Sequence, residues 1–300
     1  MKHVALGIAL LMAAGCTQAE EAAAPVATSG DMFGTDMNLA PSAPDAVLRY
    51  AEHPRGFGEL RLPAGEGPFP LALIFHGGCW NTGIANQAYM APLATRWQSQ
   101  GIATLNVDYR EVGDGGGWPG SFADWAAAAA LIDEVATAHP IDRTRVTLVG
   151  HSAGALPAQW LAMAQGADGP LGERAATGVR AAIVLDGPAD VGGERAAFDA
   201  LCEFSSVDPF MGGTPAERAA RYAAISPTVN APKLEELLFV QAVLPPAPGA
   251  AQAAIRAAGS RLEVRENAGA SHFEILTPGT DTYAANEPAM LRVLRGGAPQ

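Results

Sequence analysis

Three short stretches carry residues whose types and spacing suit acyl transfer: Gly150-His151-Ser152-Ala153-Gly154, His76-Gly77-Gly78-Cys79-Trp80 and Gly269-Ala270-Ser271-His272-Phe273. Such chemistry needs a nucleophile, a base, a group that orients the base, and N–H donors where negative charge develops. Ser152 is the candidate nucleophile. It follows the apolar run Val146-Thr147-Leu148-Val149, suited to a buried strand, and precedes a helix-prone run at 156–164. A chain that passes from strand to helix within one residue strains the apex and presents its hydroxyl at the carboxyl end of the strand. A plain strand–helix turn is the competing reading, and the flanks favour the nucleophile. His272 is the candidate base, in a loop after the last predicted strand and in the chain order serine, acid, histidine; its competing reading is a surface imidazole. Gly77 and Gly78 can turn their N–H groups toward a substrate oxygen without a side chain in the way, and the N–H of Ala153 is the further oxyanion donor. They could also simply make a tight turn, and the two readings are compatible.

The elements that must position these residues follow from the apolar pattern. Residues 46–52 and 57–62 predict an edge hairpin around His53-Pro54-Arg55-Gly56. The continuous apolar run at 71–75 predicts a strand covered on both faces, 102–109 predicts another buried strand, and 145–149, 181–185, 237–243 and 262–265 predict further strands. Helical spacing between them covers 86–100, 121–138 (Ser121 as cap, Asp124 at the third position), 156–164, 250–258 and 284–294. Pro157 falls in the helix after the elbow, where it should remove a bond to Ala153 and bend the helix. Alternating strands and helices predict an α/β fold with a mostly parallel, doubly wound sheet. The rhythm breaks at 191–232, which predicts a small irregular cap or insertion with a helical piece at 214–224.

The combination HGGCW, Val107-Asp108-Tyr109-Arg110, Trp118-Pro119 with Asp124, and GHSAG resembles the esterase/lipase branch of the α/β-hydrolase superfamily over residues 47–295. With Asp186-Gly187-Pro188-Ala189-Asp190, Gly212-Gly213-Thr214-Pro215 and Ser226-Pro227, it is similar to acetyl-xylan/feruloyl esterase-like or arylformamidase-like carboxylesterases. The resemblance implies an α/β-hydrolase fold and hydrolysis of an ester, or sometimes an amide, through an acyl-enzyme and without a cofactor or metal. It also implies an acidic residue after the strand at 237–243, and there this chain departs: Gln241-Ala242-Val243-Leu244-Pro245-Pro246-Ala247-Pro248 holds no carboxylate. Asp186, at the end of the preceding strand, is the best substitute, and its carboxylate is expected about 2.6–3.2 Å from the His272 ring. Asp190 reads equally as a loop cap, and Glu274 lies very near the histidine in sequence. Loss of the acid altogether would leave a slow enzyme or a surface binding protein, and an amidase or peptidase of the same fold is the other alternative. Trp80 and Trp118, with the insertion, are the expected lining of a pocket for an apolar or aromatic ester, although each tryptophan could equally be core.

Bulk properties bound the partners. The chain has 300 residues, 49% of them apolar, with 19 Lys and Arg against 31 Asp and Glu for a net charge of −12. That argues against a nucleic-acid surface or adsorption to anionic lipid, leaving a small-molecule or glycan-linked ester as the expected partner. Residues 1–16 read as a signal peptide: a basic start, an apolar run, then Ala13-Ala14-Gly15-Cys16. These residues resemble a bacterial lipoprotein signal, in which Cys16 is the lipidated first residue. Ala13 stands where leucine is usual, and ordinary cleavage near Ala19 is the alternative. Residues 17–46, rich in Ala, Pro, Ser and Thr, read as a tether to a domain at 47–297. Export to a bacterial envelope follows, either lipid-anchored or periplasmic or secreted, with the membrane touched only through the anchor. Cys79 and Cys202 then sit in an oxidising compartment and either pair or remain small apolar residues. The oligomeric state is not legible.

Overall fold

The computed structural model describes Met1, residues 40–163 and residues 179–297. Cys16, the signal segment and nearly all of the tether lie outside the described residues, as does the end of the helix expected at 156–164. The strands are β1 (Ala46–Arg49), β2 (Phe57–Arg61), β3 (Phe69–Phe75), β4 (Ala103–Val107), β5 (Ile141–His151), β6 (Ala181–Leu185), β7 (Glu236–Gln241) and β8 (Arg261–Glu266). They form one sheet in the order β1-β2-β4-β3-β5-β6-β7-β8. The β1–β2 and β2–β4 pairings are antiparallel and the rest parallel. This is the α/β-hydrolase fold.

The inner strands are buried on both faces, which is why they read as unbroken apolar runs rather than as alternation. One face packs Phe122, Trp125 and Ile132 of the helix Gly120–Ala138, together with Leu156 and Trp160. The other packs Leu93 and Trp97 of the helix Ala91–Ser99 and Met290 and Leu294 of the helix Asp281–Arg295. Among the described residues no helix is long and apolar enough to cross a membrane.

Sheet register gathers the chemistry at one edge. Phe75 pairs with Gly150, His151 with Leu185, Leu185 with Val240, and Gln241 with Glu266. The next residues along each strand, His76, Ser152, Asp186 and Ala242, therefore emerge together at the carboxyl edge, where open α/β sheets place their sites.

Several local expectations are corrected. Helix Gly120–Ala138 is not capped by Ser121, whose hydroxyl donates to the Arg110 carbonyl while Asp124 accepts the Arg110 amide and guanidinium. The helix after the elbow begins only at Ala155, so Pro157 lies in its first turn. An amide there has no carbonyl within the helix to meet, so proline costs little and no kink need be invoked. In the insertion, Glu217 accepts from the amide and hydroxyl of Thr214, making a capped turn, and the helix follows at Ala219–Ile225.

Candidate active site

Strand β5 runs straight into the elbow. Ser152 is 4% exposed and has φ 55°, a left-handed backbone that costs a serine about 1–3 kcal/mol. Residues Ser152–Gly154 make one tight turn, and the helix Ala155–Trp160 leaves from it. The glycine spacing is steric: a Cβ on Gly150 would stand 1.9 Å from the Gly154 carbonyl oxygen, and one on Gly154 would stand 2.3 Å from the Phe75 oxygen. Ser152 Oγ makes no hydrogen bond among the described residues. In such sites the nucleophile–base contact commonly tightens only when substrate enters.

Asp186 and His272 are brought together. The fully buried Asp186 Oδ2 lies 2.7 Å from His272 Nδ1. The Asp186 carboxylate also accepts three successive amides from the loop after β7: Ala242 at 2.9 Å, Val243 at 3.0 and 3.1 Å, and Leu244 at 3.0 Å. Burial alone would push this carboxyl up, but the His272 partner and the Ala242 and Val243 amides outweigh it, and the group is held below the ordinary range. An acceptor at Nδ1 keeps the proton there and leaves Nε2 as the basic atom. The other two acids are used elsewhere. Asp190 accepts from Ser226 Oγ and Gly193 N, and Glu274 accepts the Ser271 amide and so ties the loop that carries His272.

The loop after β3 is fixed from below. His76 is fully buried, with Nε2 3.0 Å from Asp108 Oδ1 and Nδ1 against the Gly77 carbonyl. Tyr109 stacks on its ring and donates to its carbonyl, and Arg55 binds both Asp108 and Glu111. Gly77 is where backbone meets the candidate nucleophile: a Cβ there would stand 2.8 Å from Ser152 Cβ. Its N–H, however, donates to Tyr89 Oη at 2.5 Å. Gly77 is therefore not a free oxyanion donor, which corrects the sequence expectation and leaves Gly78 and Ala153. Gly78, Cys79 and Trp80 all take positive φ, and Cys79 is disulfide-bonded to Cys202. The bond settles the alternative left open for the two thiols and ties this loop to the helix Arg195–Cys202 of the insertion.

Trp80 is also corrected. It has no exposed surface, stacks on Phe210 and packs tilted against Phe198 of the insertion, 4.5 and 4.8 Å between ring centroids. It therefore anchors the insertion to the sheet rather than lining an open pocket. Trp118 is half-buried, packed on Phe122 with the Arg221 guanidinium 5.5 Å from its ring.

Sequence reasoning gave no role to Tyr89 or His151. Tyr89 Oη lies 2.7 Å from His151 Nδ1, and His151 Nε2 lies 3.1 Å from the His272 carbonyl. The position of His151 inside the serine motif, at the buried end of β5, was the signal available. Among the described residues no group of three or more His, Cys, Asp or Glu is placed to hold a metal ion.

Comparison with known proteins agrees with the fold. Among solved structures, Thermogutta terrifontis esterase 2 phosphonylated by sarin is 19% identical, with a TM-score of 0.65 over 87% of this chain and 99% of that one. Esterase B from Lactobacillus Rhamnosis (HN001) is 17% identical, TM-score 0.66, over 86% and 88%. The bifunctional GH43-CE protein of Bacteroides eggerthii is 21% identical, TM-score 0.62, over 82% of this chain, which spans only 34% of that one. No curated protein matches the chain. The BD-FAE family model matches residues 59–239, more than half of the chain, from β2 to β7 and across both Ser152 and Asp186. The chain belongs to the BD-FAE family, in the esterase branch of the α/β-hydrolases.

Proposed function

We propose that the protein is a serine hydrolase that cleaves carboxylic esters through an acyl-enzyme. Ser152 Oγ attacks the ester carbonyl while His272 Nε2 takes its proton. Asp186 holds the ring and balances the imidazolium. The N–H groups of Gly78 and Ala153 receive the oxyanion. Collapse of the intermediate expels the alcohol, protonated by His272, and water repeats the sequence to release the acid. The observation that carries the reading is the Asp186–His272 pair at 2.7 Å, at the sheet edge where the strained Ser152 also emerges. It supports this reading over the relic or binding-only alternative, which rests on the carboxylate missing from residues 241–248.

The esterase and GH43-CE neighbours support small or sugar-linked esters as the substrate class to test. Export and anchoring at Cys16 belong to the same proposal and rest on residues 1–16 alone. Acetyl, butyryl, octanoyl and feruloyl esters offered to the wild type and Ser152→Ala test the activity. Turnover of at least one ester, lost in the variant, supports it; no turnover of any of them, or equal turnover by both proteins, overturns it.

A further inference from the structure

Tyr89 and His151 lie between the loop that carries the oxyanion donors and the loop that carries the base, and the reaction above uses neither. Tyr89 sits in the turn Gln87–Met90, and His151 ends β5 with 1% of its surface exposed. The chain of contacts runs Gly77 N, Tyr89 Oη, His151 Nδ1, then across the ring from His151 Nε2 to the His272 carbonyl oxygen.

Its two ends fix the direction of the outer bonds, and a neutral His151 ring fixes the one between them. An amide N–H only donates and a carbonyl oxygen only accepts. Tyr89 Oη receives the Gly77 proton and sends its own to His151 Nδ1, and Nε2 carries the proton that goes to His272. A neutral His151 with its proton on Nε2 satisfies all three bonds. Burial, and then the nearby His272, hold His151 well below the ordinary histidine range, in keeping with a neutral ring. The ring also packs, tilted, against the His272 ring at 4.4 Å and Phe273 at 5.3 Å between centroids.

We propose that Tyr89 and His151 are positioning residues, a hydrogen-bonded bridge that fixes the loop at Gly77 and the loop at His272 relative to each other. This rests on the ester-hydrolysis reading above. In one attack, the donors beside Gly77 receive the charge that develops on the carbonyl oxygen while His272 takes the serine proton. A shift of either loop by a fraction of an ångström misaligns the pair without removing any reacting group.

The test is the full chain carrying Tyr89→Phe, His151→Phe, or both. The bridge requires each single change to lower kcat by about 10- to 100-fold with KM moved less than about threefold. The double variant should lose no more than the worse single, because a bridge cut once is already cut. Singles within twofold of wild-type kcat, or losses that multiply in the double, overturn it. Nitrogen-15 NMR of the wild-type histidines decides the matter even where a variant does not fold. A proton on His151 Nε2 near pH 7 supports the bridge, and a neutral Nδ1–H tautomer, which has no proton to give the His272 carbonyl, overturns it. The tautomer is read whether or not the protein turns over an ester, so loss of the functional reading and loss of the bridge are separate results.

Discussion

Asp186 and His272, 86 residues apart, meet at 2.7 Å across the ends of β6 and the loop after β8, and the loop after β7 gives the same carboxylate three backbone amides. The loop that lacks the expected acid thus serves the acid one strand away. Each of its amides stabilises the Asp186 anion, which on the proposed mechanism balances the His272 imidazolium.

Replacing Asp186 by Asn puts an NH₂ group against either the 242–244 amides or the His272 ring. One arrangement sets donor against donor, and the other stabilises the wrong tautomer. We predict a fall in kcat on the order of 10⁴ with KM little changed. Steady-state kinetics on the preferred ester checks this, and near-normal turnover would remove Asp186 from the mechanism.

The disulfide should matter to activity as well as to stability. Cys79 directly follows Gly78, and both Cys79 and Trp80 hold a backbone that non-glycine residues rarely adopt. The bond to Cys202 ties that loop to the insertion across 123 residues. Cys79→Ser with Cys202→Ser should lose about 2–5 kcal/mol of stability, seen as a lower melting temperature, and should lower kcat. Unchanged melting and turnover would show the loop to be held by its other contacts alone.

Glu194 gives a pH dependence. It is buried, Oε2 accepts the Asp190 amide, and burial outweighs that bond and raises its pKa from 4.5 to about 7. Below pH 4.5 the folded and unfolded states both hold the proton. Between 4.5 and about 7 the unfolded chain releases it and the folded one retains it, so this group lowers stability as pH rises, by roughly 3 kcal/mol in full. Glu194→Gln should therefore melt higher than wild type at pH 8 and match it near pH 4.5. Melting curves at the two pH values test the sign, and an equal difference at both would refute it.

Anchoring at Cys16 predicts that the protein, expressed in a bacterium with its own leader, partitions into detergent, and that Cys16→Ser abolishes this. A soluble mature form starting near Glu20 would be the contrary result.

The sheet was legible because both faces of β3 to β7 are covered, which writes each strand as an apolar run. The Asp186–His272 contact was legible from strand order together with the lack of a carboxylate at 241–248. What was not legible is how backbone donors are spent. HGG specifies two glycines, but only tertiary placement of Tyr89, twelve residues on, shows that the Gly77 amide is occupied. Trp80 was misjudged for a similar reason: an aromatic beside a motif can face substrate or core, and here Phe198 and Phe210 of the insertion claim it.

The central claim is that Ser152 is activated by His272 and Asp186, and covalent labelling reads it directly. The wild type treated with a fluorophosphonate should gain one adduct, mapped by mass spectrometry to Ser152. Ser152→Ala should gain none, and His272→Ala should label far more slowly. Labelling at another residue, or Ser152 labelled equally fast with and without His272, would contradict the account.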